Sequence, residues 1–323
     1  MIVAAGLGTR MRPLTELLPK PALPVRGVPL IAYQLALLHR HGAREVAINA
    51  HHLPERLERA ARSWCPEGMT LRFSRELELL GTGGGIRRMA SFLRESDPSL
   101  VIGGDMLLDF DLGALAAWHE RGGHAASLLL REDPRAERFG TIGVDREGRV
   151  RRIAARQDLG GEERAGVYAW ANVLSPRIFE SLPEREAFSH LDDWWMPALA
   201  RGETGIRGLV VGPSACRWEP VGTPEELLAV NLTELSLDYL DVEAATRRAG
   251  ARVQRDERGA LDLVLGAGAR LGRGASLRRA VVFEGEEVPP GFRAEGGIFA
   301  GGAWCACGPA AGASAGEGAG SWS

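Results

Sequence analysis

Apolar and polar positions alternate along the first two-thirds of this chain with two different periods. Pro29 to His41 carries apolar side chains at helical spacing, with proline at its start and Gly42 at its stop, which predicts a helix. Glu45-Val46-Ala47-Ile48-Asn49-Ala50 is a short apolar run, predicted to be a buried strand. Pro54 to Arg62 predicts a short amphipathic helix, and a glycine-rich stretch precedes a further helix expected over Arg87 to Arg94. Leu100 to Asp105 reads as a strand running into a polar tip. Asp111 to Glu120 follows as a helix with Asp111 as N-cap, then Ala125 to Leu130 as an apolar strand. Thr141–Val144 and Val150–Ile153 flank Asp145-Arg146-Glu147-Gly148, a hairpin signal. Pro224 to Tyr239 predicts one long amphipathic helix closing the domain. Strands alternating with helices predict a three-layer α/β architecture.

The texture changes after about residue 255. Val264-Leu265-Gly266-Ala267-Gly268-Ala269, then Arg270-Leu271-Gly272-Arg273-Gly274-Ala275, repeats an apolar-Gly-x-Gly-Ala unit with a period of six. Val281-Val282-Phe283-Glu284-Gly285 continues it loosely. Such hexads predict a left-handed parallel β-helix of only a few coils, a cap or dimerisation module; the competing reading is a Gly/Ala-rich linker. Residues 301–323 are rich in Gly, Ala and Ser and read as a disordered tail. The predicted division is therefore 1–240, 255–300 and 301–323.

Composition narrows the function classes. A chain of 323 residues can bury a sizeable core and exceeds the usual single-domain size. Its net charge of −3 supplies no basic field for nucleic acid. Arginine greatly outnumbers lysine, which reads as a GC-rich coding sequence. The four cysteines, Cys65, Cys216, Cys305 and Cys307, lack Cys-x-x-Cys spacing and read as reduced thiols of a cytoplasmic protein. No apolar run reaches membrane-spanning length and no signal peptide is visible.

The candidate chemistry begins at residue 4. Ala4-Ala5-Gly6-Leu7-Gly8-Thr9-Arg10-Met11-Arg12-Pro13-Leu14-Thr15 follows an apolar strand, then Pro19-Lys20-Pro21-Ala22-Leu23-Pro24-Val25. A glycine-bearing turn after a strand lets backbone N–H groups approach an anion. Arg10 adds a forked cation suited to phosphate oxygens, and Lys20 a second cation between two prolines. Walker and dinucleotide-binding spacings are missing at this turn. The stretch resembles the signature of the sugar-phosphate nucleotidyltransferases, A-A-G-x-G-T-R-[LM]-x-P-L-T followed by P-K-[PA]-[LM]-x-P-[VI]. Relatives carry a few more residues before the loop, so the start reads as slightly shortened.

The resemblance covers residues 1 to about 240 and implies a Rossmann-like nucleotidyltransferase domain. In that family an Asp closing an Asn/Gly-Gly-Asp strand end binds Mg²⁺, which implies Asp105 as metal ligand, with Gly103 a mild departure at the first position. An oxygen donor at the carboxyl end of a strand suits that ion. The second metal carboxylate lies in Trp-x-Asp-Val-Gly-Thr-Pro, but this chain reads Trp218-Glu219-Pro220-Val221-Gly222-Thr223-Pro224. Proline replaces the aspartate, and Glu219, one position early, would ligate only through a local bulge. Leu80-Gly81-Thr82-Gly83-Gly84-Gly85-Ile86 matches the segment that lies against the nucleotide base, implying roles for Gly81, Thr82 and Gly83. The sugar side departs from the usual Glu-Lys-Pro, and Arg156 is the remaining cation there. Asn172-Val173-Leu174-Ser175-Pro176 fits a second sugar-side motif, with Asn172 as a hydroxyl partner and Trp170 in place of a small residue. Asp109 and Asp111 read as cap and surface residues. Trp194, Trp195 and Trp218 read as core or pocket wall.

The implied reaction joins an NTP and a sugar 1-phosphate into an NDP-sugar, releasing pyrophosphate. Arg10 would neutralise the triphosphate, Lys20 the reaction-centre phosphates, and Ala5, Gly6, Gly8 and Thr9 would hold the nucleotide. A homo-oligomer through the β-helix is expected. The alternative is a nucleotide-sugar-binding regulatory subunit without turnover; the altered Pro220 motif favours it, and intact Arg10, Lys20 and Asp105 oppose it.

Overall fold

The computed structural model describes residues 1–203 and 205–308. Its centre is a ten-stranded sheet. In spatial order the main path runs Gln157–Asp158, Val150–Ile153, Ile142–Val144, Arg164–Leu174, Ser99–Gly103, Ile2–Val3, Glu45–Ala50 and Thr70–Arg75. Ala126–Arg131 pairs with Arg164–Leu174 and with Ile206–Val211. Ile2–Val3 is parallel to both neighbours, with Ile2 opposite Ile48 on one side and Ile102 on the other. Chain connections therefore leave in opposite directions from this pair of strands. That makes the carboxyl ends of Ile2–Val3 and Ser99–Gly103 the switch point where open α/β sheets bind ligands.

Each face of the sheet carries its own core, which gives three layers. One face packs Ile86, Leu93, Phe188, Trp194 and Trp195 against Val101, Leu128 and Tyr168. The other packs Leu35, Leu38, Leu57 and Leu115 against Ile2, Ile48, Ile102 and Val173. Val101 and Ile102 go to opposite cores because successive side chains on a strand alternate faces.

Most predicted elements stand at their expected places: helices at Leu30–Arg40, Pro54–Ser63 and Leu112–Gly122, and the strand at Glu45–Ala50. Asp111 caps the third helix by accepting from the Ala114 N–H at 3.0 Å. Asp109 accepts the Asp238 N–H, and none of the four cysteines is disulfide-bonded. Two helix expectations are corrected. The glycine-rich stretch does not precede a helix but forms it, at Gly81–Arg88, followed by the short turn Ala90–Leu93. The long closing helix expected over Pro224–Tyr239 stops at Asn231 after starting in a Thr223–Glu226 capping box; a separate helix, Val242–Arg248, capped by Asp241, follows beyond the expected range.

The C-terminal segment stacks Leu261–Leu265, Ser276–Val282 and Arg293–Ala300 in parallel. Leu263 pairs with Ala280 and Ala280 with Gly297, a spacing of 17 residues. Arg270–Leu271 and Glu287–Val288 pair at the same spacing on another side of the stack. The six-residue glycine rhythm has a steric cause: a Cβ on Gly266 or Gly272 would come within 2.5 Å of the next layer's backbone. Ala303–Ala306 forms an antiparallel edge strand where an unstructured tail was expected, and residues 309–323 lie outside the described residues. No helix among the described residues is long and apolar enough to cross a membrane.

Candidate active site

The first loop leaves the sheet at Ala4, whose N–H is held at 2.7 Å by the Asn49 side chain. Asn49 in turn donates to the buried Glu76 carboxylate at 2.8 Å, tying the loop to the ends of two neighbouring strands. Gly8 adopts φ 62°, and a Cβ there would lie 2.9 Å from the Thr15 methyl and 3.4 Å from Lys20 Cβ. Glycine is thus needed for both conformation and space. The Gly8 carbonyl accepts the Met11 N–H and the Thr15 hydroxyl, each at 2.9 Å, closing the loop on itself. Ala5 is buried, Gly6, Leu7 and Thr9 are exposed, and nothing lies within 4 Å of a Cβ built on Gly6. The Arg10 side chain is exposed, with no hydrogen bond or ion pair among the described residues.

The Pro19-fixed turn Lys20–Ala22 delivers Lys20 to the same place. Its ammonium donates to Asp105 Oδ2 at 2.6 Å; the Lys20 side chain is 12% exposed and that of Asp105 47%. Lys20 is the only lysine in a chain of 39 lysines and arginines. Asp105 sits just past the Ser99–Gly103 strand, and its backbone carbonyl accepts the Val221 N–H at 3.0 Å. That bond draws the Val221–Pro224 turn to the site. Arg10 lies over this turn, its guanidinium 3.7 Å from a Cβ built on Gly222. Glu226, which caps the turn, pairs with Arg138 at 2.6 Å. Glu226 and Arg138 were missed in the sequence, although Thr223-Pro224-Glu225-Glu226 is a readable capping box.

The metal donor set is smaller than the two-carboxylate expectation. Glu219 is already engaged: its carboxylate lies 3.4 Å from Arg135 and 3.8 Å from Arg217. Its strand pairs Pro220 with Met106 and Glu219 with Leu107. Arg135 is itself anchored on the buried Asp133. Burial disfavours that charge, but the hydrogen bonds and proximity of Arg135 and Arg131 hold the Asp133 carboxyl below its ordinary range. Among the described residues no group of three or more His, Cys, Asp or Glu could hold a metal. One oxygen donor remains, Asp105 Oδ1, which has no partner among the described residues.

The glycine-rich helix is also corrected. Gly83 and Gly84 N–H groups both donate to the Phe188 carbonyl, and a Cβ on Gly81 would lie 2.7 Å from that same oxygen. Glycine at 83 and 84 lets the 186–190 segment approach, since a Cβ at either would clash with it. The Thr82 hydroxyl is engaged too, donating to His190 Nδ1 at 2.7 Å and accepting the His190 N–H at 3.1 Å. Burial pushes the His190 imidazole down to about 3, so it is neutral. Its Nε2–H then donates to the Tyr168 hydroxyl at 3.3 Å, and Tyr168 donates to Asn172 Oδ1 at 2.8 Å. Asn172 completes the chain by donating to the Val101 carbonyl at 3.1 Å. Asn172 is 1% exposed with both ends of its amide used, so it is a core residue rather than a sugar partner. Arg156 is paired with Asp192, each about a third exposed, on the rim of the 190–195 segment. Trp194, Trp195 and Trp218 are core residues.

A family model described as nucleotidyl transferase matches residues 1–236. The chain is 30% identical over 300 residues to a mannose-1-phosphate guanylyltransferase of Mycobacterium tuberculosis, covering 90% of this chain and 81% of that one. It is 28% identical to a UTP–glucose-1-phosphate uridylyltransferase of Synechocystis, covering 58% of this chain and 52% of the other. Among solved structures, HddC from Yersinia pseudotuberculosis superposes with a TM-score of 0.58 at 22% identity, covering 71% of this chain and 96% of that one. With that family signature running through the loop that carries Arg10 and Lys20, beside Asp105 at the end of the Ser99–Gly103 strand, the chain belongs to the sugar-phosphate nucleotidyltransferases.

Proposed function

We propose that this protein condenses an NTP with a sugar 1-phosphate, giving an NDP-sugar and pyrophosphate. The observation that carries the reading is the Lys20–Asp105 pair at the switch point of the sheet, with the exposed Arg10 over the adjoining Val221–Pro224 turn. A phosphate oxygen of the sugar phosphate attacks the α-phosphorus, and the bond to the β-phosphate oxygen breaks. This chemistry needs positioning and charge neutralisation rather than covalent help. Arg10, free to rotate, takes the triphosphate and the departing pyrophosphate. Lys20 holds the phosphates at the reaction centre, exchanging Asp105 for a phosphate oxygen. Ala5, Gly6, Gly8 and Thr9 carry the nucleotide, with the Gly81 end of the glycine-rich helix as a second wall. Arg156 serves the sugar side.

Asp105 Oδ1 fits a Mg²⁺ ion that takes its other ligands from water and phosphate, since this ion is commonly held by one or two carboxylates plus substrate oxygens. Bound there, it would neutralise charge developing on the phosphates. We read the stacked C-terminal strands as a short left-handed β-helix that caps the domain and offers a surface to a second copy. The 17-residue spacing between paired strands supports that reading. We read it as a cytoplasmic protein, a reading supported by its four unbridged cysteines.

The test is pyrophosphate release by purified protein from each NTP with a panel of sugar 1-phosphates and Mg²⁺. GTP with mannose 1-phosphate comes first, given the mycobacterial relative. Release that needs both substrates is expected. Binding of nucleotide sugar without turnover across the panel would make the chain a regulatory subunit.

A further inference from the structure

One side chain at the switch point has no part in the reading above. Trp170 lies in the Arg164–Leu174 strand, where pairing with Ala126–Arg131 breaks register between Tyr168 and Asn172. At this bulge Trp170 has φ 52°, a left-handed conformation that a bulky residue seldom adopts. Bulges next to active sites re-aim side chains, and backbone strain gathers where a ligand is held.

The bulge aims the indole at Gly103. A Cβ built on Gly103 would lie 3.2 Å from Trp170 Cβ, 3.4 Å from Trp170 Cγ and 3.4 Å from Asp105 Oδ1. The base of the indole and the unpartnered carboxylate oxygen therefore lie within about 7 Å of each other, flanking one glycine. Behind the indole stands an aromatic wall. Tyr168 stacks on it with centroids 5.3 Å apart and planes 28° apart, and His190 tilts against it at 4.5 Å. Both supports are held by the Thr82–His190–Tyr168–Asn172 hydrogen-bond chain. The indole is thus fixed from behind and half-buried, and its N–H makes no hydrogen bond among the described residues.

An aromatic face beside a phosphate site suits the C–H face of a pyranose. In a sugar 1-phosphate only one bridging oxygen separates the ring from the phosphorus, so a phosphate at Asp105 and Lys20 brings the sugar within reach of Trp170. We propose that Trp170 is the platform for the sugar ring and sets which sugars this protein accepts. The proposal rests on the reaction proposed above. Stacking is directional, so sugars differing at one hydroxyl present different C–H faces to it.

The test compares Trp170→Gly and Trp170→Phe with the wild type. Trp170→Gly removes the ring and relaxes the left-handed backbone. It is expected to raise KM for the sugar 1-phosphate about tenfold, an interaction of ordinary stacking size, with KM for the NTP within about twofold. It should also flatten the ratio of kcat/KM values between epimeric sugars, while Trp170→Phe keeps that ratio. An unchanged sugar KM and unchanged epimer ratio in Trp170→Gly overturns the proposal, as does a rise confined to the NTP. Should Trp170→Gly fail to fold, indole fluorescence decides: sugar 1-phosphate quenches the wild type, and the quench is expected to be lost in Trp170→Phe. A quench fully kept in Trp170→Phe overturns it. A wild type that quenches but never releases pyrophosphate sinks the proposed reaction and leaves the platform standing.

Discussion

Lys20 Nζ donates to Asp105 Oδ2 at 2.6 Å across 85 residues of sequence. The bond joins the first loop to the end of the Ser99–Gly103 strand, the two arms of the switch point. It places the proposed phosphate-binding cation and the proposed metal carboxylate in one another's first contact. Without substrate they neutralise each other; with phosphates present each has a better partner. Every other side-chain cation in the chain except histidine is arginine. An ammonium is a compact point charge with three donors, whereas a guanidinium is a wide planar fork. The pocket beside Gly8, where Lys20 Cβ lies 3.4 Å from a built Cβ, suits the narrower group.

Lys20→Ala is therefore expected to lower kcat/KM by about 100-fold, the scale of losing one charged group aimed at a transition state. Lys20→Arg should recover less than a tenth of the wild-type value. Steady-state pyrophosphate release measures both. As Lys20 is the only lysine, amine acylation should inactivate the protein in step with modification of that side chain, and NTP should protect it. Full activity after complete Lys20 acylation would remove it from the site.

Arg10→Ala should cost about 100-fold in kcat/KM as well, for the same reason. Its melting temperature should match the wild type, because the side chain is exposed and unpartnered among the described residues. A lower melting temperature would mean that Arg10 supports the Val221–Pro224 turn instead.

The sequence made the loop legible because its chemistry is local. Gly8, Arg10 and Lys20 lie within a dozen residues of one another, and a strand followed by such a turn has few other uses. Helix ends with caps, at Asp111 and Gly42, were readable for the same reason. What failed was long-range. Gly83 and Gly84 could not reveal that the 186–190 backbone would press against them. Asn172 looked available until the fold put Tyr168 and Val101 at the two ends of its amide. The helix from Pro224 ends at Asn231, whose side chain accepts the Arg26 N–H and donates to the Pro24 carbonyl 207 residues away, contacts the local pattern does not show.

The two kinds of glycine separate by substitution. Gly84→Ala would drive a methyl onto the Glu186 carbonyl, and should destabilise the fold by ~1–3 kcal/mol, the usual cost of overpacking. Gly6→Ala meets nothing within 4 Å, so its denaturation midpoint should be unchanged while nucleotide affinity falls. Urea titrations of the two variants check this. Equal stability loss in both would contradict the packing role assigned to Gly84.

Stability should fall in acid through buried imidazoles. Burial lowers His190 from 6.5 to about 3, outweighing the attraction of Asp192, and lowers His124 to about 4. Both are depressed in the folded state, so the unfolded chain binds more protons between those values and 6.5. Stability is then full above pH 6.5 and is lost as pH falls toward 3. Melting temperatures should be level from pH 7 to 8 and drop steadily below 6.5. His190→Gln should show a shallower acid slope than the wild type. An identical slope would place the acid sensitivity elsewhere.

The Trp218–Pro224 segment allows the metal site to be tested by gain as well as loss. Pro220 lies opposite Met106, next to Asp105, while Glu219 is held by Arg135 and Arg217. Pro220 stands where the family's Trp-x-Asp motif carries its metal carboxylate, so Pro220→Asp should restore that ligand and tighten apparent Mg²⁺ affinity by about tenfold, the effect of roughly 1.4 kcal/mol. Glu219→Gln should leave the Mg²⁺ titration where it was, because that carboxylate already serves two arginines. Asp105→Asn should abolish Mg²⁺-dependent turnover. Activity titrated against Mg²⁺ in the three variants reads these outcomes directly. If Glu219→Gln alone weakened the metal dependence, the loop would have to rearrange in the substrate complex to free Glu219 from Arg135, and Asp105 would no longer be the sole protein ligand.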